Sequence, residues 1–365
     1  MSTLELKNIA LHDGAEDVMY DISATMSSGI NLLVGPTLSG KTTLMRLIAG
    51  LVKPSSGSIA LDGADISNVA VKDRSVAFVY QQFINYPSLT VFENIASPLK
   101  VDKVKHSKEE IAARVEEMAK LLGLSPFLKR KPSELSGGQQ QRVAIARALA
   151  RKSDIVLLDE PLANLDYKLR EQLRAELQSI FSEENAIVIY STAEPSEALD
   201  FATNSFVMSE GRIIQAGKAL DIYKQPVNVA AAKAMADPPI NLLPSSYSNQ
   251  RAIFANKEFQ LDRPEIIGKE ISNFTLGIQP GKITLQPTGS NSIEFSAEVQ
   301  LAEVTGSSTF VHVKFETGQE IVIEVEGTET FELDQRLKGY FSPDDLYGFD
   351  VNTGKSIFFP KGSVN

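Results

Sequence analysis

The sequence predicts an α/β domain with a parallel sheet over residues 1–240, followed by a smaller all-β domain over 241–365. Three observations carry this. Between Gln139 and Met208, helical stretches alternate with bare apolar runs, the order expected when parallel strands are joined by helices. Near the N-terminus, the apolar run Ile30-Asn31-Leu32-Leu33-Val34 ends at a glycine-bounded loop that leads into a helix. Beyond Asp237-Pro238-Pro239 the pattern changes to short alternating runs, such as 283–285, 310–315 and 320–325, separated by Gly, Pro, Ser and Asn.

Taken in order, residues 3–34 read as two or three strands with a turn at Asp13-Gly14. A helix follows over 42–51 and stops at Lys53-Pro54. Residues 58–62 and 75–79 read as further strands. Between about Ser88 and Pro132 the pattern turns helical. Ile111, Val115, Met118, Leu121 and Leu122 recur there at three- and four-residue steps with Lys and Glu between them. Helix 139–151 runs into Ile155-Val156-Leu157-Leu158, which ends in Asp159-Glu160-Pro161. Strands at 186–190 and 205–208 complete the sheet.

The 365 residues carry a formal net charge of −10 and contain no concentrated basic run, which argues against a general nucleic-acid binder. Cysteine is absent, so disulfides, thiolate nucleophiles and thiolate metal sites are excluded. No basic region followed by an apolar stretch marks a signal peptide, and no window approaches the roughly 20 apolar residues that span a bilayer. Any work at a membrane is expected to go through a partner.

Three motifs carry chemistry. Gly35-Pro36-Thr37-Leu38-Ser39-Gly40-Lys41-Thr42 fits G-x-x-x-x-G-K-[ST]. Its glycines let backbone N–H groups wrap phosphate, and the following helix points its positive end at the same anion. Lys41 can then reach the terminal phosphates of ATP, and Thr42 offers a hydroxyl to Mg²⁺. The second motif is the buried strand ending at Asp159 and Glu160. Asp159 is a candidate to hold Mg²⁺, directly or through water, and Glu160 a candidate general base for the attacking water. The third is Leu135-Ser136-Gly137-Gly138-Gln139-Gln140-Gln141-Arg142, where Ser136 suits an N-cap and the glycines leave a helix N-terminus bare. A simple cap is one reading. Alternatively it is a second anion site, used if two chains pair head-to-tail so that Ser136 faces the partner's γ-phosphate.

At this point the chain resembles the ATP-binding cassette (ABC) transporter ATPases. The resemblance lies in the phosphate loop, Gln81 as the Q-loop glutamine, the signature at 135–142, the acidic strand and a D-loop at Leu162-Ala163-Asn164-Leu165-Asp166. The tail, with Leu276-Gly277-Ile278-Gln279-Pro280 and Phe349-Asp350-Val351-Asn352-Thr353-Gly354, resembles the oligonucleotide-fold (TOBE-like) extension of carbohydrate-importer ATPases of the maltose type. The resemblance implies a P-loop NTPase cassette with a helical subdomain at about 88–150. It implies nucleotide binding by the loop residues together with Thr43, and by Ser136, Gly137, Gly138 and Gln139. Mg²⁺ would be held by Thr42, Gln81 and Asp159, with Glu160 and Gln81 catalytic. The helical region around Ser88 to Pro132 would dock a membrane subunit, which places the protein at the cytoplasmic face of the bacterial inner membrane. Its partners would be two permease subunits, a second ATPase chain and, indirectly, a periplasmic binding protein.

Two departures stand out. The family's switch histidine falls on Ala193, within Tyr190-Ser191-Thr192-Ala193-Glu194-Pro195, and the only histidines are His12, His106 and His312. A methyl group cannot hold water or phosphate, so slow hydrolysis is expected at this chain's own site, along with pairing to a paralogue that keeps the histidine. That segment also resembles paired ATPases of glycerol or sugar-alcohol importers. The family's adenine-stacking aromatic falls near Asp13, where His12 could stack or simply occupy a turn. Thr37 and Leu38 replace small residues, at positions that contribute mainly backbone contacts. Two other classes compete: a soluble ABC ATPase acting on DNA or ribosomes, and a regulatory ATP-binding module. The former usually shows a coiled-coil insertion or two cassettes in one chain, and neither is present here.

Overall fold

The computed structural model describes residues 2–14, 16–101, 104–163, 165, 167–183, 185–201, 204–254, 257–266 and 272–363. It divides into two compact units, 1–218 and 219–365.

The first unit begins with β1 (Thr3–Asp13), β2 (Glu16–Ser27) and β3 (Gly29–Val34), then α1 (Lys41–Ala49), β4 (Ser56–Leu61), β5 (Ala64–Asp65) and β6 (Val76–Val79). Next come α2 (Val91–Lys100), α3 (Lys108–Leu121) and α4 (Gly137–Ala150). The unit closes with β7 (Ile155–Asp159), α5 (Tyr167–Glu183), β8 (Ile187–Thr192), α6 (Pro195–Phe201), β9 (Asn204–Ser209) and β10 (Arg212–Lys218). One sheet is antiparallel in the order β2-β1-β4-β5. The other runs β10-β9-β3-β8-β7-β6, and its strands are parallel except for edge strand β10.

Alternation along the parallel strands decides which layer each side chain joins. Leu33, Ile155, Leu157, Ile187 and Ile189 face a core shared with α1 and with the antiparallel sheet, through Leu44, Met45, Leu47, Leu4, Leu6 and Ile59. β7 and β8 are buried at every residue, as strands covered on both faces must be, and this explains their unbroken apolar runs.

The helices are cut by caps readable in the sequence. Thr90 with Glu93, Ser107 with Glu110 and Ser136 with Gln139 each form a capping box, opening α2, α3 and α4. Helix α1 ends at Ala49, two residues short of the span expected from the sequence, because Gly50 adopts φ +77° and its N–H returns to Arg46 and Leu47 carbonyls. Arg74, 4% exposed, donates to the carbonyls of Leu47, Ile48, Val69 and Ser67. A buried guanidinium thus satisfies the orphan acceptors at the end of the helix that carries Lys41.

The second unit starts earlier than the 240 boundary expected from composition. It takes in two short helices, α7 (Ala219–Lys224) and α8 (Val229–Ala234), before β11 (Asn241–Ser248), β12 (Arg251–Phe254), β13 (Lys257–Gln260) and β14 (Asn273–Ile278). β15 (Ile293–Val304), β16 (Ser308–Lys314), β17 (Glu320–Glu326), β18 (Arg336–Phe341), β19 (Tyr347–Asp350) and β20 (Ser356–Phe358) follow. The reason for the shift is local. Val229 N–H donates to Gly354 O, Ser356 N–H donates to Val227 O, and Ala232 packs with Ile240, Tyr347 and Phe349. Two antiparallel sheets, β13-β12-β11-β14-β19-β20 and β17-β16-β15-β18, close over a core rich in phenylalanine, including Phe254, Phe295, Phe315 and Phe341. The strand expected at 283–285 is only a single bridge between Thr284 and Tyr340, since Pro280 opens a 3₁₀ turn that uses up the preceding residues.

Arg74→Ala should destabilise the first unit by about 2–4 kcal/mol, because several buried carbonyls lose their donor together. Urea unfolding of the nucleotide-free chain measures this.

Candidate functional site

Register brings the site together. In the parallel sheet Val34 lies opposite Thr192, and Asp159 opposite Ser191. The C-terminal ends of β3, β8 and β7 are therefore neighbours, and the loops that leave them meet at one edge, where open α/β sheets bind ligands.

The loop after β3 is shaped by close approach. A Cβ on Gly35 would stand 2.3 Å from the Met208 carbonyl oxygen, so no other residue fits. Ser39 N–H donates to Pro36 O, and Ser39 O accepts from Gly211 N–H, which braces the loop against the β9–β10 turn. The Ser39 hydroxyl is buried with no partner among the described residues. Helix α1 starts without a side-chain cap and has no acid in its first turn, so its leading N–H groups are left for an anion.

Lys41 is 4% exposed. Its Nζ donates to Gly35 O at 2.7 Å and Pro36 O at 3.1 Å, and lies 3.3 Å from Glu160 Oε1. The other Glu160 oxygen, Oε2, accepts from Gln81 Nε2 at 2.8 Å. Glu160 has φ +44°, a left-handed conformation that turns its side chain from the end of β7 toward Lys41. Its N–H is held by Ser191 Oγ at 3.0 Å and Ser191 O at 3.2 Å.

Asp159, 3% exposed, accepts from Thr42 Oγ1 at 3.0 and 2.8 Å and from Ser191 Oγ at 2.7 Å. Two oxygens that far apart fit adjacent corners of an octahedron of about 2.0–2.1 Å bonds, whose edge is about 2.9 Å. A hydroxyl, a carboxylate and the amide oxygen of Gln81 are hard oxygen donors suited to Mg²⁺. Among the described residues no cluster of three or more His, Cys, Asp or Glu forms a metal cage.

Sequence reasoning missed Ser191. It is fully buried, fixes Asp159 and Glu160 at once, and sits two residues before Ala193. Its place at the end of an apolar strand was the available signal. Ala193 itself is exposed. Beside it Thr192 Oγ1 accepts from Glu194 N–H, and Glu194 pairs with Arg170.

The signature residues do not join this cluster. Ser136 Oγ accepts from Gln139 N–H at 3.4 Å, and Gln139 Oε1 accepts from Ser136 N–H at 3.0 Å. Among the described residues no hydrogen bond or ion pair links 136–139 to the phosphate loop, Asp159 or Glu160. A Cβ on Gly138 would lie 2.4 Å from a Leu169 methyl, so that side chain would have to shift, whereas one on Gly137 would meet nothing within 4 Å. His12 pairs with Asp17 across the β1–β2 hairpin, and no described contact ties it to the loop. The Asp13 side chain and the D-loop residues Asn164 and Asp166 lie outside the described residues.

Comparison with known proteins decides the family. Residues 19–163 match the ABC transporter family and 276–349 the TOBE domain. YcjV of Escherichia coli (strain K12), an ABC transporter ATP-binding protein, is 33% identical over 366 residues, 98% of this chain and 100% of that one. The chain belongs to the ATP-binding proteins of ABC transporters. Two relatives are named sn-glycerol-3-phosphate import ATP-binding protein UgpC. That of Ruegeria pomeroyi is 33% identical over 359 residues (98% and 99% of the two chains), and that of Yersinia pestis 34% over 364 (98% and 99%). Among solved structures, the dimeric structure of MJ0796, a bacterial ABC transporter cassette, aligns with TM-score 0.54 and 31% identity over 59% of this chain and 98% of that one. The fold is thus an ABC ATPase cassette followed by an all-β TOBE domain. As a member of this family of ATPases it binds and hydrolyses ATP.

Next to this site, Tyr190 OH donates to Glu197 Oε2 at 3.2 Å. Burial raises the Glu197 carboxyl above its ordinary value of 4.5, with repulsion from Glu194 adding to the shift and hydroxyls of Thr192 and Tyr190 opposing it. The folded chain holds this proton longer than the unfolded chain. The stability contributed is present below pH 4.5 and is lost as pH rises through the folded value. Glu197→Gln should flatten that part of the stability–pH profile and make the chain more stable than the parent at pH 8, which denaturant titrations at stepped pH will test.

Proposed function

We propose that this chain is the ATP-binding subunit of an importer for a carbohydrate or polyol, with glycerol the specific candidate. Similarity along 98% of the chain, TOBE domain included, to two proteins named for sn-glycerol-3-phosphate import carries the import class, and the glycerol candidate rests on the likeness of the segment around Ala193 to paired ATPases of glycerol or sugar-alcohol importers. The chain has no helix among its described residues long and apolar enough to cross a membrane. On this reading it works from the cytoplasmic face of the membrane through two permease subunits, which dock on the helical region around 88–132. Cargo recognition belongs to those subunits and to a binding protein.

The chemistry follows from the cluster. The terminal phosphates of ATP take over Lys41 Nζ from the Gly35 and Pro36 carbonyls, and the N-terminus of α1 takes the remaining charge. Freed from Lys41, Glu160 Oε1 accepts a proton from the attacking water. The water oxygen bonds to the γ-phosphorus as the bond to the β–γ bridging oxygen breaks. Gln81 orients Glu160 through its Nε2. Mg²⁺, when bound by Thr42, Asp159 and Gln81, supplies neutralisation of the phosphate charge.

Closure by a second, similar chain brings that chain's signature turn over this nucleotide, and Ser136, Gly137, Gly138 and Gln139 of this chain over the partner's. Ala193 leaves this site without the switch imidazole, so the chain pairs with a paralogue that has one and lends it an intact signature. A regulatory ATP-binding module remains the second reading, and the exposed Ala193 is the observation that favours it.

The transporter purified from its native membrane should contain one copy of this chain, one paralogue and two permeases. Two copies of this chain, both turning over ATP briskly, would sink the heterodimer. Ala193→His should raise turnover at this site by on the order of 10²-fold, the scale of one preorganised polar contact. Glu160→Gln should lower it at least as much. Steady-state phosphate release measures both.

A further inference from the structure

Strand β8 reads Ile187-Val188-Ile189-Tyr190-Ser191-Thr192 and is buried at every residue. An apolar side chain at 191 would suit such a strand, whereas a buried hydroxyl costs free energy unless it is hydrogen-bonded. Ser191 is fully buried and is bonded twice, donating to Asp159 Oδ1 at 2.7 Å and accepting from Glu160 N–H at 3.0 Å. The second bond is not what calls for serine. Glu160 N–H also has the Ser191 carbonyl at 3.2 Å, a partner that any residue supplies. What only the hydroxyl provides is the hydrogen on Asp159 Oδ1. The neighbouring Thr192 hydroxyl is no substitute, because it is turned to Glu194, whose N–H it accepts at 2.9 Å.

Asp159 has two oxygens to place. Thr42 carries a single hydroxyl hydrogen, and its Oγ1 lies 2.8 Å from Oδ2 against 3.0 Å from Oδ1. Ser191 is therefore the donor that holds Oδ1, while Oδ2 is left to Thr42. We propose that Ser191 is a positioning residue for Mg²⁺: by pinning Asp159 Oδ1 it keeps Oδ2, beside the Thr42 hydroxyl, available to the cation. This rests on the assignment of Thr42 and Asp159 to Mg²⁺ made above. Ser191 acts through Asp159 and not as a ligand. Removing the hydrogen-bond partner of a ligating carboxylate costs about 10–100-fold in metal affinity or activity in other metal sites.

The test is equilibrium dialysis of the full chain against the non-hydrolysable β,γ-imido analogue of ATP, in excess Mg²⁺ and in EDTA. It compares the parent, Ser191→Ala and Asp159→Asn, and the ratio of the two dissociation constants is the gain that Mg²⁺ confers. Ser191→Ala removes one oxygen atom. It should cut that gain by about tenfold and leave affinity in EDTA at the parent value. Asp159→Asn should lose most of the gain. An undiminished gain in Ser191→Ala, with the gain lost in Asp159→Asn, would overturn the role of Ser191 and leave the Mg²⁺ assignment standing. No gain in the parent, or an undiminished gain in Asp159→Asn, would overturn the assignment itself. Equal losses with and without Mg²⁺ in Ser191→Ala would show that the hydroxyl serves the fold rather than the cation, and would also overturn the proposal.

Discussion

The Asp159 carboxylate is the joint on which the site depends. It takes hydroxyl hydrogens from Thr42, at the start of α1, and from Ser191, at the end of β8. A buried carboxylate is tolerable only when such donors meet it. This one is met by two segments far away in sequence, brought close because β3, β8 and β7 are adjacent and in parallel register. If the register slipped by one residue, Asp159 would turn to the opposite face and the site would come apart. Fold and chemistry therefore share one constraint.

Glu160 shows how local strain serves that constraint. Following Asp159 directly, it would point to the opposite face of an extended strand. Its left-handed backbone instead swings the carboxylate to Lys41 and Gln81, and Ser191 holds the N–H that makes this conformation affordable. The same logic operates at Leu38, the other strained residue of the site, with one difference. Glu160 is held by Ser191, whereas among the described residues nothing covers the Leu38 side chain.

Much of this was legible in the sequence. The apolar runs at 30–34 and 155–158, the glycine spacing of the loop and the capping residues are local signals, and the elements formed where those signals lay. The helical end at Gly50 and the boundary near 218 were harder to read. The boundary depends on contacts with Gly354 and Lys355, distant in the chain, whereas α1 ends locally, at a glycine whose left-handed backbone stops the helix before Leu51. The strand expected at 283–285 failed for a local reason, a proline-led turn that alternation alone does not reveal.

By itself, the sequence determined which residues carry the chemistry, because phosphate, Mg²⁺ and proton transfer each demand particular functional groups at particular spacings. It also determined that the switch position holds a methyl group. Tertiary structure alone decided which groups touch. Ser191 became the link between Asp159 and Glu160 only through strand register, and Lys41 found Glu160 only through a left-handed residue. Those outcomes depend on distances across the sheet, which no linear spacing encodes.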